Sequence, residues 1–332
     1  MRITIQMIVS IVSFGSMCFA IAAAEGRPAY DPLTTTSQIA PEILNFDVHD
    51  NARQRDIPIQ VYLPREKSPS PVILFSHGLG GSREGSAYLG KHWSARGYVA
   101  VFLQHPGSDI SVWKDAPPAQ WMAAMKKVAN GHNFLLRVKD IPAVLDQLDQ
   151  WNKKDGHAIA GRLNLEKVGM SGHSFGAVTT QAVSGQAFAR GRDLLTDPRI
   201  DAAIVMSPSS PDRGSPLEAF GNVSLPWLLM TGTQDTSAIG HADMNSRLAV
   251  FPALPAGDKY ELVLNQAEHS AFTERALPGD TKPRNPNHHR VILAFSTAFW
   301  DSYLLNYASA RDWLKGDGAK SVLEKDDTWR MK

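Results

Sequence analysis

The chain has 332 residues, 43% apolar and 20% charged, a composition that excludes a disordered protein and leaves enough apolar surface for a large core. Lys and Arg total 34 against 33 for Asp and Glu, so the charge balance carries no footprint for nucleic acid. Cys18 is the only cysteine, which excludes an intrachain disulfide framework and a Cys-based metal site.

Residues 1–24 read as a signal peptide: Arg2 supplies a positive start, Ile3 to Ala20 are mostly apolar, and Ala22-Ala23-Ala24 offers a small-residue cleavage site before Glu25. The competing reading is a retained membrane anchor, because the run is nearly long enough to span a bilayer; Thr4, Gln6, Ser10, Ser13 and Ser16 dilute it. Cleavage near Ala24 removes Cys18 and Arg2, so the mature chain has no thiol, equal numbers of acidic and basic residues, and a secreted or periplasmic destination without stable membrane insertion. Residues 25–44 are a polar lead-in, 45–310 the folded domain, and 311–332 a charged C-terminal tail expected to pack loosely.

Within the domain, short apolar runs predict strands at Ile59–Leu63, Pro71–Ser76, Tyr98–Leu103, Val168–Met170, Ala202–Met206, Pro226–Met230 and Tyr260–Leu264. Helical spacing predicts helices over Ala87–Ala95, over Leu135–Trp151 (with Pro142 inside it), over Phe175–Val183 and over residues 289–306. Residues 105–131, rich in Pro and Trp, read as irregular. Strands alternating with helices give an α/β protein with a mostly parallel central sheet covered on both faces.

Gly172-His173-Ser174-Phe175-Gly176 matches G-x-S-x-G. The pattern alone arises by chance in roughly one chain of this length in ten, so its position carries the argument. It follows a strand and opens a helix, as a nucleophile elbow requires, which makes Ser174 the candidate nucleophile. The loop Ser76-His77-Gly78-Leu79-Gly80-Gly81 follows an earlier strand; the backbone N–H groups of Leu79 and Phe175 are the candidate oxyanion donors.

A serine hydroxyl needs a base, and in this arrangement the acid and then the histidine follow the serine along the chain. His269 follows the last parallel strand and is preferred over His241, which lies in a polar loop, and over His288 and His289, which begin the last helix as solvated or capping residues. Asp235, in a turn ending the fifth strand, is the preferred acid. Asp212 is a rival just past the preceding strand; Asp201 sits at the wrong edge, and Glu268 adjoins His269, where neighbouring side chains diverge. No H-E-x-x-H, P-loop or dinucleotide-binding glycine pattern occurs, so neither a metal nor another cofactor is expected. Trp113, Trp121 and Met122 serve equally as pocket walls or as packing.

Pro71–Gly81 (PVILFSHGLGG), Arg96–Val101 and Lys167–Gly176 (KVGMSGHSFG) resemble the platelet-activating-factor acetylhydrolase and dienelactone-hydrolase-like group of α/β-hydrolases, over roughly residues 45–305. The resemblance implies an α/β-hydrolase fold and a cofactor-free serine esterase, with lipases and polyester hydrolases as relatives. Two departures stand out. Dienelactone hydrolases use Cys where this chain has Ser174, and the acetylhydrolases carry their acid after the strand that ends here at Met206, where this chain has Ser207 and Pro208. The sequence therefore leads to a secreted serine esterase acting on a small-molecule or lipid ester. Acyl-lipid, phospholipid acetyl-ester and polyester hydrolysis are narrower forms of it; a peptidase, an acyltransferase and a non-catalytic binding protein are the rival readings.

Overall fold

The computed structural model describes residues 29–35, 40–188, 194–240, 242–277 and 279–332. The expected signal peptide lies outside them. Among the described residues no helix is long and apolar enough to cross a membrane.

Nine strands build one sheet: β1 (Glu42–Asp50), β2 (Arg55–Leu63), β3 (Ser70–Ser76), β4 (Val99–Leu103), β5 (Leu163–His173), β6 (Ala202–Met206), β7 (Trp227–Gln234), β8 (Lys259–Glu268) and β9 (Thr328–Met331). Their spatial order is β1-β2-β4-β3-β5-β6-β7-β8-β9. β3 to β8 are parallel; β1, β2 and β9 run antiparallel to their neighbours. The helices are α1 (Ala87–Arg96), α2 (Pro118–Val128), α3 (Gly131–Lys153), α4 (Phe175–Val183), α5 (Pro216–Phe220), α6 (Met244–Leu248), α7 (Val250–Ala253), α8 (Pro286–Tyr303), α9 (Ala308–Lys315) and α10 (Asp317–Lys320).

Every residue of β3 is buried, which is why it reads as an unbroken apolar run. Side chains alternate between faces along it. Ile73 and Phe75 join Leu89 and Trp93 of α1 and Trp300 of α8, whereas Val72 and Leu74 join Ile141, Leu145 and Leu148 of α3. Helices thus cover both faces, and the parallel strands deliver their carboxyl-end loops to one edge, where ligand sites form in such sheets.

The structure corrects the sequence at four places. The lead-in ends earlier than residue 44, because β1 begins at Glu42; its outer face is exposed, so polar residues interrupt the apolar pattern. β2 runs through Pro58, which sits beyond the β4 ladder that begins at Ile59 and has a strand partner on one side only. Residues 105–131 contain α2, started by Pro118 at its first position; its apolar side, Trp121, Met122, Met125 and Val128, is only half-buried, and Pro117 and Pro118 ahead of it read as a loop. α3 then starts at Gly131, capped by Asn130, whose side chain accepts from Asn133 N–H at 3.0 Å.

The fourth correction is the C-terminal tail, which does not pack loosely. It forms α10 and β9, and β9 pairs with β8 along the sheet edge. Trp329 stacks on Tyr260 at 5.4 Å and packs on Phe295 at 4.5 Å, while its Nε1–H donates to Leu314 O at 3.0 Å. Trp329→Ala is expected to lower stability by about 2 kcal/mol, less than for a fully buried Trp because the ring is half-covered. A urea midpoint equal to that of the parent chain would show that the tail does not support the fold.

Candidate active site

β5 ends at His173 and α4 begins at Phe175, so the chain reverses at Ser174 alone. Ser174 has φ 57° and ψ −116°, a region that costs a non-glycine residue on the order of 1–3 kcal/mol. Backbone proximity holds the turn. A Cβ on Gly172 would stand 2.3 Å from Gly176 O, and one on Gly176 would stand 1.8 Å from Ser76 O. Only glycine lets β3, β5 and α4 meet this closely. Ser174 N–H donates to Met206 O at 3.0 Å, pinning the turn to the end of β6.

His269 follows β8 directly and opens a short 3-10 helix, His269–Phe272. Its Nε2 lies 2.8 Å from Ser174 Oγ and its Nδ1 lies 2.6 Å from Asp235 Oδ1. Asp235, just past β7, is fully buried, and its Oδ2 accepts from Thr231 Oγ1 at 2.9 Å. Nδ1 therefore carries the ring proton toward the carboxylate, and Nε2 is left to accept the serine proton. Burial alone would raise the Asp235 pKa. The hydrogen bond and charge from His269, with the charge of Arg247, outweigh it and hold the carboxyl well below the usual carboxylate range.

The other candidates are placed elsewhere. Asp201 Oδ2 accepts from Val168 N–H at 2.8 Å, at the opposite edge of the sheet. Asp212 is exposed on the wall of the cleft. Glu268 does not pair with His269 and accepts instead from the Thr281 and Lys282 N–H groups at 2.8 and 3.2 Å. His241 lies outside the described residues. His288 and His289 are neither solvated nor capping: His288 is buried against Asn265 O, and His289 stacks on Tyr88 at 3.9 Å, while Asn285 caps α8. The helix needs its apolar face covered, and these rings help to cover it.

The loop after β3 lies against the serine, since a Cβ on Gly78 would be 3.3 Å from Ser174 Cβ. Gly80 N–H donates to Ser108 O at 2.9 Å and Gly81 N–H to Gly78 O at 3.0 Å. His77 Nδ1–H donates to Gly78 O at 2.6 Å, while its Nε2 accepts from His105 N–H at 3.1 Å. Burial, reinforced by the Arg137 charge, pushes the His77 pKa well down, so this one neutral tautomer persists. Among the described residues, no acceptor takes the Leu79 N–H; the Phe175 N–H is the first of α4 and has no carbonyl one turn back to bond. Both sequence-nominated donors are thus open.

Three functional groups escaped the sequence reading. Arg247, on α6, is buried and reaches all three neighbouring loops: Nη1 donates to Ser207 O and Pro208 O at 2.9 Å, Nε lies 3.1 Å from Asp235 Oδ1, and Nη2 lies 3.2 Å from His269 Nδ1. No sequence signal marks it, because α6 has only five residues. Behind the glycine loop, His105 bridges Ser76 Oγ and Asp140 Oδ2, each at 2.9 Å, and all three groups are buried. Arg137 stands beside them. Its signal was legible as an arginine on the apolar stripe Phe134, Val138, Ile141, Leu145 of α3.

Burial, helped by the Arg137 charge and opposed by Asp140, lowers the His105 pKa to about 4. A free histidine titrates near 6.5, so between these values the unfolded chain binds a proton that the folded chain does not. Stability is then full above about pH 6.5 and falls as pH drops toward 4, on the order of 3 kcal/mol from this group. Urea midpoints that stay level from pH 7 to 4.5 would contradict a neutral buried His105.

Above the serine lies a cleft of about 870 Å³, within the usual range for a small-molecule site. Leu79, Ile110, Met122, Met125, Phe134 and Val178 give it an apolar side. Trp113 and Trp121 are packing rather than wall: they contact each other at 4.8 Å, and Trp113 Nε1–H donates to Gly80 O at 2.8 Å. No protein-family model and no curated protein sequence matches the chain.

Proposed function

We propose that this chain is a serine hydrolase with an α/β-hydrolase fold that cleaves carboxylic esters outside the cytoplasm. The supporting observation is the unbroken hydrogen-bond path from Ser174 Oγ through His269 to the buried Asp235, at 2.8 and 2.6 Å. His269 takes the Ser174 proton as Oγ attacks the ester carbonyl, forming a tetrahedral oxyanion. The open N–H groups of Leu79 and Phe175 stabilise that oxygen. The intermediate collapses, the alcohol leaves with the proton from His269, and an acyl-enzyme remains. Water, deprotonated by His269, then releases the acid and restores Ser174. An intact path of this kind favours catalysis over a binding protein that merely keeps the fold.

The walls of the cleft narrow the substrate. An apolar side next to the oxyanion donors suits an acyl or alcohol group larger than acetyl. Glu84, Asp212, Glu268, Glu274 and Asp280 face it against Arg247 and Arg275, which disfavours an anionic ester. Export rests on the sequence of residues 1–24.

A fluorophosphonate probe is expected to label wild-type protein, with the adduct on the peptide containing Ser174. p-Nitrophenyl esters from acetate to octanoate should be hydrolysed without a sharp loss beyond butyrate, and a chromogenic dipeptide should turn over far more slowly. Absence of labelling together with absence of ester turnover would refute the reading.

A further inference from the structure

We propose that Arg137 is a positioning residue of the oxyanion site: a buried guanidinium that ties the two donor segments together from behind and leaves a fixed positive charge there. This rests on the serine-hydrolase reading above. Arg137 is 0% exposed. Its Nε–H donates to Thr179 Oγ1 at 3.1 Å, Nη1 to Ser108 Oγ at 3.0 Å, and Nη2 to Ser76 Oγ at 3.0 Å and to His77 O. Its Cζ lies 4.7 Å from the centre of the Phe175 ring.

Each partner borders one of the donors. Ser76 and His77 lead into the loop that carries Leu79, and Ser108 O accepts the Gly80 N–H of that loop. Thr179 Oγ1 donates to Phe175 O at 3.0 Å, and Phe175 carries the second donor. One planar fork of donors therefore spans both halves of the site, which a lysine could not do with comparable geometry.

The charge itself is not met by a direct ion pair. All of these acceptors are neutral, and among the described residues Arg137 makes no ion pair. The nearby Asp140 is already engaged by Arg53, Arg55 and His105, and Asp109 is engaged by Gln104 and Ser111. Asp140 and Asp109 act on it only from beyond ion-pair distance, so the buried guanidinium is incompletely compensated and costly to hold. Behind the oxyanion donors, its potential has the sign that favours the tetrahedral oxyanion over the neutral ester, so its benefit is greatest in the transition state.

The test compares Arg137→Met, Arg137→Lys and Ser108→Ala with wild type, using p-nitrophenyl butyrate turnover and inhibition by an alkylboronic acid. The boronate becomes a tetrahedral anion on Ser174, whereas a simple N-alkyl carboxamide of the same length, which Ser174 does not add to, reports ground-state binding. Arg137→Met should lower kcat about 100-fold, with KM and carboxamide affinity within about twofold and boronate affinity reduced in step with kcat. Arg137→Lys, which keeps the charge but loses the fork, should recover about tenfold of that loss. Ser108→Ala, which removes one anchor, should lose several-fold.

A folded Arg137→Met with wild-type kcat and boronate affinity overturns the proposal. If that variant does not fold, unchanged kcat and boronate affinity in both Arg137→Lys and Ser108→Ala overturn it. A wild-type protein that labels at Ser174 while these variants behave normally sinks only this inference. A wild type that neither labels nor turns over esters sinks the hydrolase reading itself.

Discussion

Ser174→Ala is expected to lower kcat for p-nitrophenyl butyrate by about 10⁴-fold or more while leaving the fold intact. The loss is large because the hydroxyl is the only group at the mouth of the hydrogen-bond path that forms the covalent intermediate; His269 and the open N–H groups remain but have nothing to activate. Stability should change little or rise. Ser174 holds a strained φ of 57°, and its backbone N–H, not its side chain, makes the bond to Met206 O. Alanine in that conformation keeps the strain and the backbone bond, so the melting temperature reads close to wild type as the activity disappears. Activity within tenfold of wild type would mean that hydrolysis proceeds without Ser174.

Asp235→Asn is expected to cost about 10³- to 10⁴-fold in kcat, the scale set by loss of the tautomer that leaves His269 Nε2 free to accept. The carboxylate also faces Arg247, with Nε at 3.1 Å. The amide removes the charge that neutralises this buried guanidinium, and a stability loss of about 3 kcal/mol accompanies the change, moderated by the carbonyls of Ser207 and Pro208 that still accept from Arg247. Because the carboxyl is held well below the usual range, its contribution to stability is complete above about pH 4, where the unfolded carboxyl is ionised, and is lost only as pH falls through the depressed folded value. Near neutral pH the effect of the substitution should therefore not vary with pH. If Asp235→Asn stays within tenfold of wild type while Asp212→Asn does not, the acid lies after β6 instead.

The legible parts of this molecule are those where one physical requirement dominates a stretch of sequence. β3 is buried on both faces, so Pro71–Phe75 had to be apolar throughout. The elbow needs glycine at two fixed positions because carbonyl oxygens occupy the space of a side chain, and G-x-S-x-G records that directly. The choice of Asp235 followed from the edge of the sheet at which each acidic residue stands. Elements whose stability comes from distant partners were hidden. β1 has one exposed face, α2 is only half-buried along its apolar side, and β9 depends on Trp329 finding Tyr260 and Phe295. Arg247 and His105 act through neighbours that are remote in sequence, and local periodicity cannot report such contacts.

The close approach of Gly176 to Ser76 O has a bearing on how the specificity of such a protein changes under selection. At that point main-chain atoms touch main-chain atoms, and there is no side chain to exchange for another. Gly172 and Gly176 form a fixed point at which any replacement collides with main-chain atoms. Elsewhere the cleft wall carries Met122 and Met125 on α2, a helix without a fully buried residue, and flexible methionine side chains tolerate exchange. Substitutions that retune which esters are accepted therefore have somewhere to accumulate, in the side-chain walls and not at the elbow.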